Sequence, residues 1–246
     1  MKPAKRFETE LLSAQVKAYI VDELRSGQYR SLDRLPPEDA MAEELGVSRI
    51  TLRHALALLE KGGFITRKRG VGTLINQKVL GLQARLDIER ECSDLLRDIG
   101  YSVEVRVIGT VRQKAGDELG TKLEISPEEE VLAIEKLWLA DGRPAILCTD
   151  YVPFRLISTE VPESLLGEPI FRLLSEMCDQ DVQYDVTEIV PDAASGRVCD
   201  LLAVSPGTPI QMIEEVGFNK SDVPVLFSRE RYRTDIVRFT LVRNKV

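Results

Sequence analysis

The sequence predicts a two-domain α+β protein: a small helical head ending in a basic hairpin, then a larger and mainly antiparallel sheet with helices on it. Three observations predict this. At 246 residues the chain can bury two ordinary cores. Residues 1–77 carry a net charge of +3 and the remainder −10, within a total of −7. The apolar residues also change their period, from helical spacing before residue 60 to strand-like runs after residue 100.

In the head, Ser13 is read as the cap of a first helix, with Val16, Ile20 and Leu24 spaced to bury one face and Gly27 to stop it. Pro36 and Pro37 break the chain before a short helix headed by Glu38 and Asp39, carboxylates suited to the positive helix end. Gly46 ends it. From Ser48 a third helix is expected, with Leu52, Ala55, Leu56 and Leu59 at i, i+3, i+4 and i+7, until Gly62 and Gly63. FITRKRGVGTLI (64–75) then reads as two short strands around a basic turn. That order is a winged helix-turn-helix over residues 1–77. KVLGLQA (78–84) is expected to be a linker and 85–246 the second domain.

In the second domain, six segments have strand character: 101–111, 131–140, 145–152, 183–190, 209–218 and 225–233. Helical spacing recurs near 90–99, 115–124, 169–177 and 193–203. There is also an internal echo. KLEISPEEEVLAIEKLWLADGRPAIL (122–147) matches LLAVSPGTPIQMIEEVGFNKSDVPVLF (201–227) at Ser126-Pro127 with Ser205-Pro206, Ile134-Glu135 with Ile213-Glu214, and Pro144 with Pro224. Two such hairpins predict one sheet with a ligand cleft where its halves meet.

Several chemistries are disfavoured. Cys92, Cys148, Cys178 and Cys199 lack metal-site spacing and are expected as buried thiols in a reducing compartment. A His-dependent triad would have to use the single histidine, His54, whose neighbours do not resemble a pocket, and neither metal nor cofactor is expected. The first twelve residues lack the apolar core of a signal peptide, and no 18-residue apolar run occurs, so a cytoplasmic protein is expected.

Arg49 and Arg53 lie within about 40° of each other on the third helix. Ser48, Arg49, Thr51 and Arg53 crowd its first turns, the part that enters a major groove in such motifs. Arginine pairs with the O6/N7 edge of guanine or clamps a phosphate. Arg67, Lys68 and Arg69, with Gly70 and Gly72, give the hairpin three charges and a backbone able to approach DNA closely. His54 is expected beside a phosphate or exposed.

Residues 15–75 resemble the DNA-binding domain of GntR-type bacterial regulators, through Leu35-Pro36, Val47-Ser48-Arg49, Thr51, Arg53, Ala55-Leu56 and Gly70-Val71-Gly72-Thr73. The resemblance implies that Arg49, Arg53 and Gly70 contact operator DNA. Family members usually carry a basic residue where this chain has Asp39; a carboxylate there repels phosphate, so that contact is not carried over. Residues 85–243 resemble the UTRA domain of the HutC subfamily, which shares the chorismate-lyase fold. The marks are ADGRP (140–144), DYVP (150–153) and RYRTDIVRF (231–239). This implies a homodimer whose second domain binds a small effector.

The effector positions depart from those of sugar-phosphate-sensing relatives. Lys136 and Trp138 stand for an Arg-x-Arg pair, Cys148 and Leu226 for two carboxylates, and Pro169-Ile170-Phe171 for Ser-Leu-Tyr. Strand alternation puts Lys136 and Trp138 on one face, and Leu226, Ser228 and Glu230 on one face. Arg90 and Glu91 fall near the domain's first helix, where relatives hold an anion. A flat ligand is expected, stacked on Trp138 unless that residue is core, with Lys136 or Arg90 neutralising one anionic group. The rival function is lyase-like chemistry on an aromatic acid. Against it, no activated nucleophile or acid–base pair stands out, and it leaves the head unexplained.

Overall fold

A computed structural model describes residues 4–87 and 90–243, with side chains from residue 12 onward. The chain divides into two compact units, Met1–Ile88 with Thr240–Val246, and Glu89–Phe239.

The first unit contains α1 (Ala4–Arg25), α2 (Glu38–Glu44), α3 (Arg49–Lys61), β1 (Ile65–Lys68), β2 (Gly72–Ile75) and a short α4 (Gln77–Leu80). Its core joins Ile20 and Leu24 of α1, Met41 of α2, Leu52, Leu56 and Leu59 of α3, and Phe64. Each such buried side chain contributes about 1.5–3 kcal/mol. Ser13 does not cap α1: the helix starts earlier, and Ser13 is buried within it. Ser48 does cap α3, its Oγ accepting the Thr51 N–H at 3.0 Å. Gly46 and Gly63 take φ of +64° and +75°, so the turns that end α2 and α3 need glycine. The hairpin is stitched to the segment before α2, where Leu35 N–H donates to Thr73 O and Ile75 N–H to Asp33 O, both at 2.9 Å.

The segment expected as a linker at 78–84 is built into this unit instead. Val79 of α4 joins the core, and the chain's C-terminal segment closes over it. Thr240 N–H donates to Ala84 O and Leu86 N–H to Thr240 O, both at 2.9 Å, while Val242 packs against the core beside Gly63. Arg85 is buried here, stacked over Phe64 at 4.6 Å, donating to Gly62 O and paired with Asp87.

The second unit is one six-stranded sheet, antiparallel throughout, in the order β3-β4-β5-β8-β7-β6. The strands are β3 (Val103–Lys114), β4 (Glu130–Ala140), β5 (Arg143–Pro153), β6 (Tyr184–Ala193), β7 (Pro209–Phe218) and β8 (Pro224–Arg233). The helices are α5 (Cys92–Ile99), α6 (Gly116–Lys122), α7 (Glu163–Leu166), α8 (Ile170–Cys178) and α9 (Arg197–Leu202). The echo in the sequence is thus part of a longer repeat: α5-β3-α6-β4-β5 is followed by α8-β6-α9-β7-β8. The halves join at the β5–β8 pair, so the strand order reads alike from either edge.

Side chains of α6 pack with Val131, Val216 and Phe227, and those of α9 with Leu137, Leu147 and Ile210, on one face of the sheet. Residues of α8 pack with Leu132, Ile134, Val152 and Leu226 on the other. Ser93 of α5 also reaches that second face, at Trp138.

Candidate functional site

Two surfaces concentrate the chemistry. On the first unit, α3 buries Leu52, Ala55, Leu56 and Leu59 and turns Arg49, Ile50, Arg53 and His54 outward. Arg49 Nη1 lies 3.0 Å from Asp39 Oδ1, and Arg53 Nε donates to Glu38 Oε2 at 2.7 Å. Arg67 is held by Glu60, which accepts its backbone N–H and its Nε, both at 2.8 Å. Lys68, Arg69, Gly70 and Gly72 are exposed at the hairpin tip, where the two glycines take φ of +78° and +99°. A turn with two positive φ values gives its backbone a close approach that side-chain-bearing residues resist.

On the second unit, the β5–β8 junction carries a cluster of polar side chains. Cys148 stands opposite Glu230, and Asp150 opposite Ser228. Asp150 Oδ1 accepts from Ser228 Oγ at 2.7 Å and from Cys148 Sγ at 3.3 Å, while its Oδ2 lies 3.2 Å from Lys136 Nζ. Lys136 also donates to Glu168 O at 3.2 Å and lies 5.4 Å from the Trp138 ring centroid. Burial opposes the charge on Lys136, but Asp150 and the nearby Cys148 and Cys92 together outweigh it, and the Lys136 pKa is raised. Trp138 is buried, its indole N–H donating to Ser93 Oγ at 3.0 Å.

Beyond Cys148 lies a second carboxylate. Glu230 accepts from Tyr232 Oη and, at 3.5 Å, from Cys92 Sγ of α5. Burial first, and the Glu215 carboxylate second, push its pKa up to about 8 against the pull of those two donors. Burial likewise raises the Cys92, Cys148 and Tyr232 groups well above their ordinary values. On the same face, where segment 154–166 crosses β3 and β4, Thr110, Leu132, Phe154, Ser158, Glu160 and Leu166 line an open cavity of about 460 Å³.

Two family models match the chain: "Bacterial regulatory proteins, gntR family" over residues 12–75, and "UTRA domain" over residues 98–238. The chain belongs to the GntR-family regulators that carry a UTRA domain. It is similar to the "Probable fructoselysine utilization operon transcriptional repressor" of Escherichia coli (strain K12), 26% identical over 242 residues and 98% of each chain. An uncharacterized HTH-type transcriptional regulator of Rhizobium meliloti (strain 1021) is 28% identical over 230 residues, 90% of this chain and 92% of that one. The fold matches the crystal structure of the possible transcriptional regulator YydK from Bacillus subtilis, with a TM-score of 0.73 at 19% identity, covering 96% and 99% of the two chains.

This GntR–UTRA protein is therefore a DNA-binding transcriptional regulator with an effector domain, and the lyase-like reading falls with the family assignment. No helix among the described residues is long and apolar enough to cross a membrane.

The positions expected from the sequence divide into groups. Lys136, Trp138, Cys148, Ser228 and Glu230 converge on one face. Leu226 and Phe171 pack instead into the apolar cluster around α8. Arg90 is exposed and 3.4 Å from Asp98, and Glu91 precedes α5 as its N-cap residue. Lys136 and Arg90, expected to neutralise a ligand anion, each face a carboxylate of their own chain, Asp150 and Asp98. Trp138 is core rather than an exposed stacking plate. Thr51 is buried, with its hydroxyl 2.8 Å from Ser48 Oγ, so both side chains serve the start of α3. Sequence reasoning missed Asp150, Tyr232, Cys92 and Ser93; only Asp150, one strand period from Cys148, carried a readable signal. It also missed Ile50, an exposed apolar residue off the buried stripe and beside Arg49.

Proposed function

We propose that the protein is a cytoplasmic homodimeric repressor whose two α3 helices enter successive major grooves of a pseudo-palindromic operator. In this reading Arg49, Arg53 and His54 meet the DNA from α3, and Ser48 presents the helix start. Arg67, Lys68, Arg69, Gly70 and Gly72 lie along the flanking backbone. What carries the reading is the division of α3: one side is fully buried, and the other presents two arginines beside a basic hairpin. Thr51 is left out, because it is buried against the cap.

The effector is proposed to bind on the sheet face that holds Lys136, Asp150, Cys148, Ser228 and Glu230. The polar cluster supports this reading, and so does the open cavity further along the same face.

Gel-shift titration tests the first part. Arg49→Ala and Arg53→Ala should each weaken binding about tenfold or more while the second unit stays folded. Wild-type affinity for both variants would remove α3 from the interface. Metabolite thermal-shift screening tests the second part, and Ser228→Ala should weaken any response found. A full response in that variant would move the site elsewhere.

A further inference from the structure

The two helices of the head meet through charge at the edge where DNA would dock. Asp39 stands in the first turn of α2 and Arg49 in the first turn of α3, 3.0 Å apart, with both side chains exposed. One turn further, Glu38 holds Arg53 through Nε. An exposed ion pair contributes little to folding, and a carboxylate in the first turn of α2 adds only about 0.3–1 kcal/mol, so stability is a weak reason for a carboxylate at this place. Its cost is plain, since a fixed negative charge beside α3 opposes every nearby phosphate.

What an aspartate can do there is directional. Its ion pair with Nη1, at 3.0 Å, biases the orientation of the Arg49 guanidinium, whose remaining N–H groups stay available to the O6/N7 edge of a guanine. The repulsion acts on every duplex alike, so discrimination comes from the orientation of Arg49, while the charge of Asp39 lowers affinity for DNA in general.

We propose that Asp39 is a specificity-determining residue, orienting Arg49 toward a guanine edge while its charge lowers affinity for DNA in general. The inference rests on the reading of α3 as the recognition helix.

The full-length protein is first used to select from duplexes with a randomised core of about 20 base pairs. Dissociation constants are then measured for the selected duplex, for versions with single G·C pairs replaced, and for an unrelated duplex, at two salt concentrations. Wild type, Asp39→Asn and Asp39→Ala are compared, with thermal melting as a check on folding. For one G·C pair the wild type should discriminate about tenfold or more. In Asp39→Ala that ratio should fall about threefold or more, while binding to the unrelated duplex tightens severalfold and depends more steeply on salt. Asp39→Asn keeps an acceptor without the charge, so it should retain the discrimination and share the tighter nonspecific binding. If Asp39→Ala selects the same motif with the same ratio, or if neither variant gains nonspecific affinity, the proposal is overturned. A wild-type protein that selects no motif would instead overturn the recognition-helix reading beneath it.

Discussion

The two halves of the effector-domain sheet share one plan but handle buried charge differently. In the first, Ile134 stands opposite Asp150, and Lys136 opposite Cys148. In the second, Ile213 stands opposite Glu230, and Glu215 opposite Ser228. The repeat therefore equates Asp150 with Glu230, Cys148 with Ser228, and Lys136 with Glu215. Where the first half sets an ammonium diagonally across from its carboxylate, the second sets another carboxylate. Lys136 and Asp150 form a buried ion pair, whereas Glu230 is held among hydroxyl and thiol donors with its pKa raised to about 8. An internal repeat fixes where the polar side chains converge, while burial first and the residue at one diagonal position second hold Glu230 toward its neutral form.

Breaking the pair in the first half should have the largest effect. Lys136→Met leaves the Asp150 carboxylate buried without its cation, which costs about 3–5 kcal/mol in comparable cases. Chemical denaturation of the full chain, followed by a signal from the single Trp138, should show it. Lys136→Met combined with Asp150→Leu should recover more than half of the loss, because an apolar pair escapes the desolvation penalty. A single variant as stable as wild type would mean the pair is not desolvated.

The second half should respond to pH rather than to pairing. The folded protein holds the Glu230 proton up to about pH 8, whereas the unfolded chain releases it near 4.5. Between those values the folded state binds more protons, so this group's contribution to stability falls as pH rises and levels off above 8. Glu230→Gln removes that titration. Its melting temperature relative to wild type should rise across the window, by about 3 °C or more at pH 8. Parallel melting curves from pH 5 to 8 would show that Glu230 is ionised throughout.

Much of this was legible beforehand, for identifiable reasons. The Leu52, Ala55, Leu56, Leu59 stripe is local and periodic, so α3 and its exposed arginines followed from spacing alone. All six strands of the sheet were marked by β-branched and aromatic runs. The repeat was visible through the Ser-Pro turns, but only over its hairpins, because α5 and α8 share little beyond the pairs Leu95-Leu96 and Leu173-Leu174. What stayed hidden depends on partners distant in sequence. Nothing near Lys136 shows that Asp150 will neutralise it, and nothing near Trp138 shows that Ser93 will take its indole N–H. The docking of Thr240 and Val242 onto the first unit was equally invisible, since it joins residues more than a hundred positions apart.

The smallest predicted effect asks whether the equivalent positions Cys148 and Ser228 do equal work. Both donate to the same atom, Asp150 Oδ1, but a hydroxyl at 2.7 Å is a stronger donor than a thiol at 3.3 Å. Ser228→Ala leaves a buried carboxylate one good hydrogen bond short, which costs about 1–2 kcal/mol. Cys148→Ala removes a weak donor and a little volume, and should cost less, about 1 kcal/mol. The two losses should not add simply, because each variant makes Asp150 lean harder on the donor that remains and on Lys136. A double variant that loses more than the sum of the singles would show the two donors sharing one acceptor across the repeat axis. Additive losses would mean that Lys136 alone sustains the charge of Asp150, and that the hydroxyl and the thiol merely fill space around it.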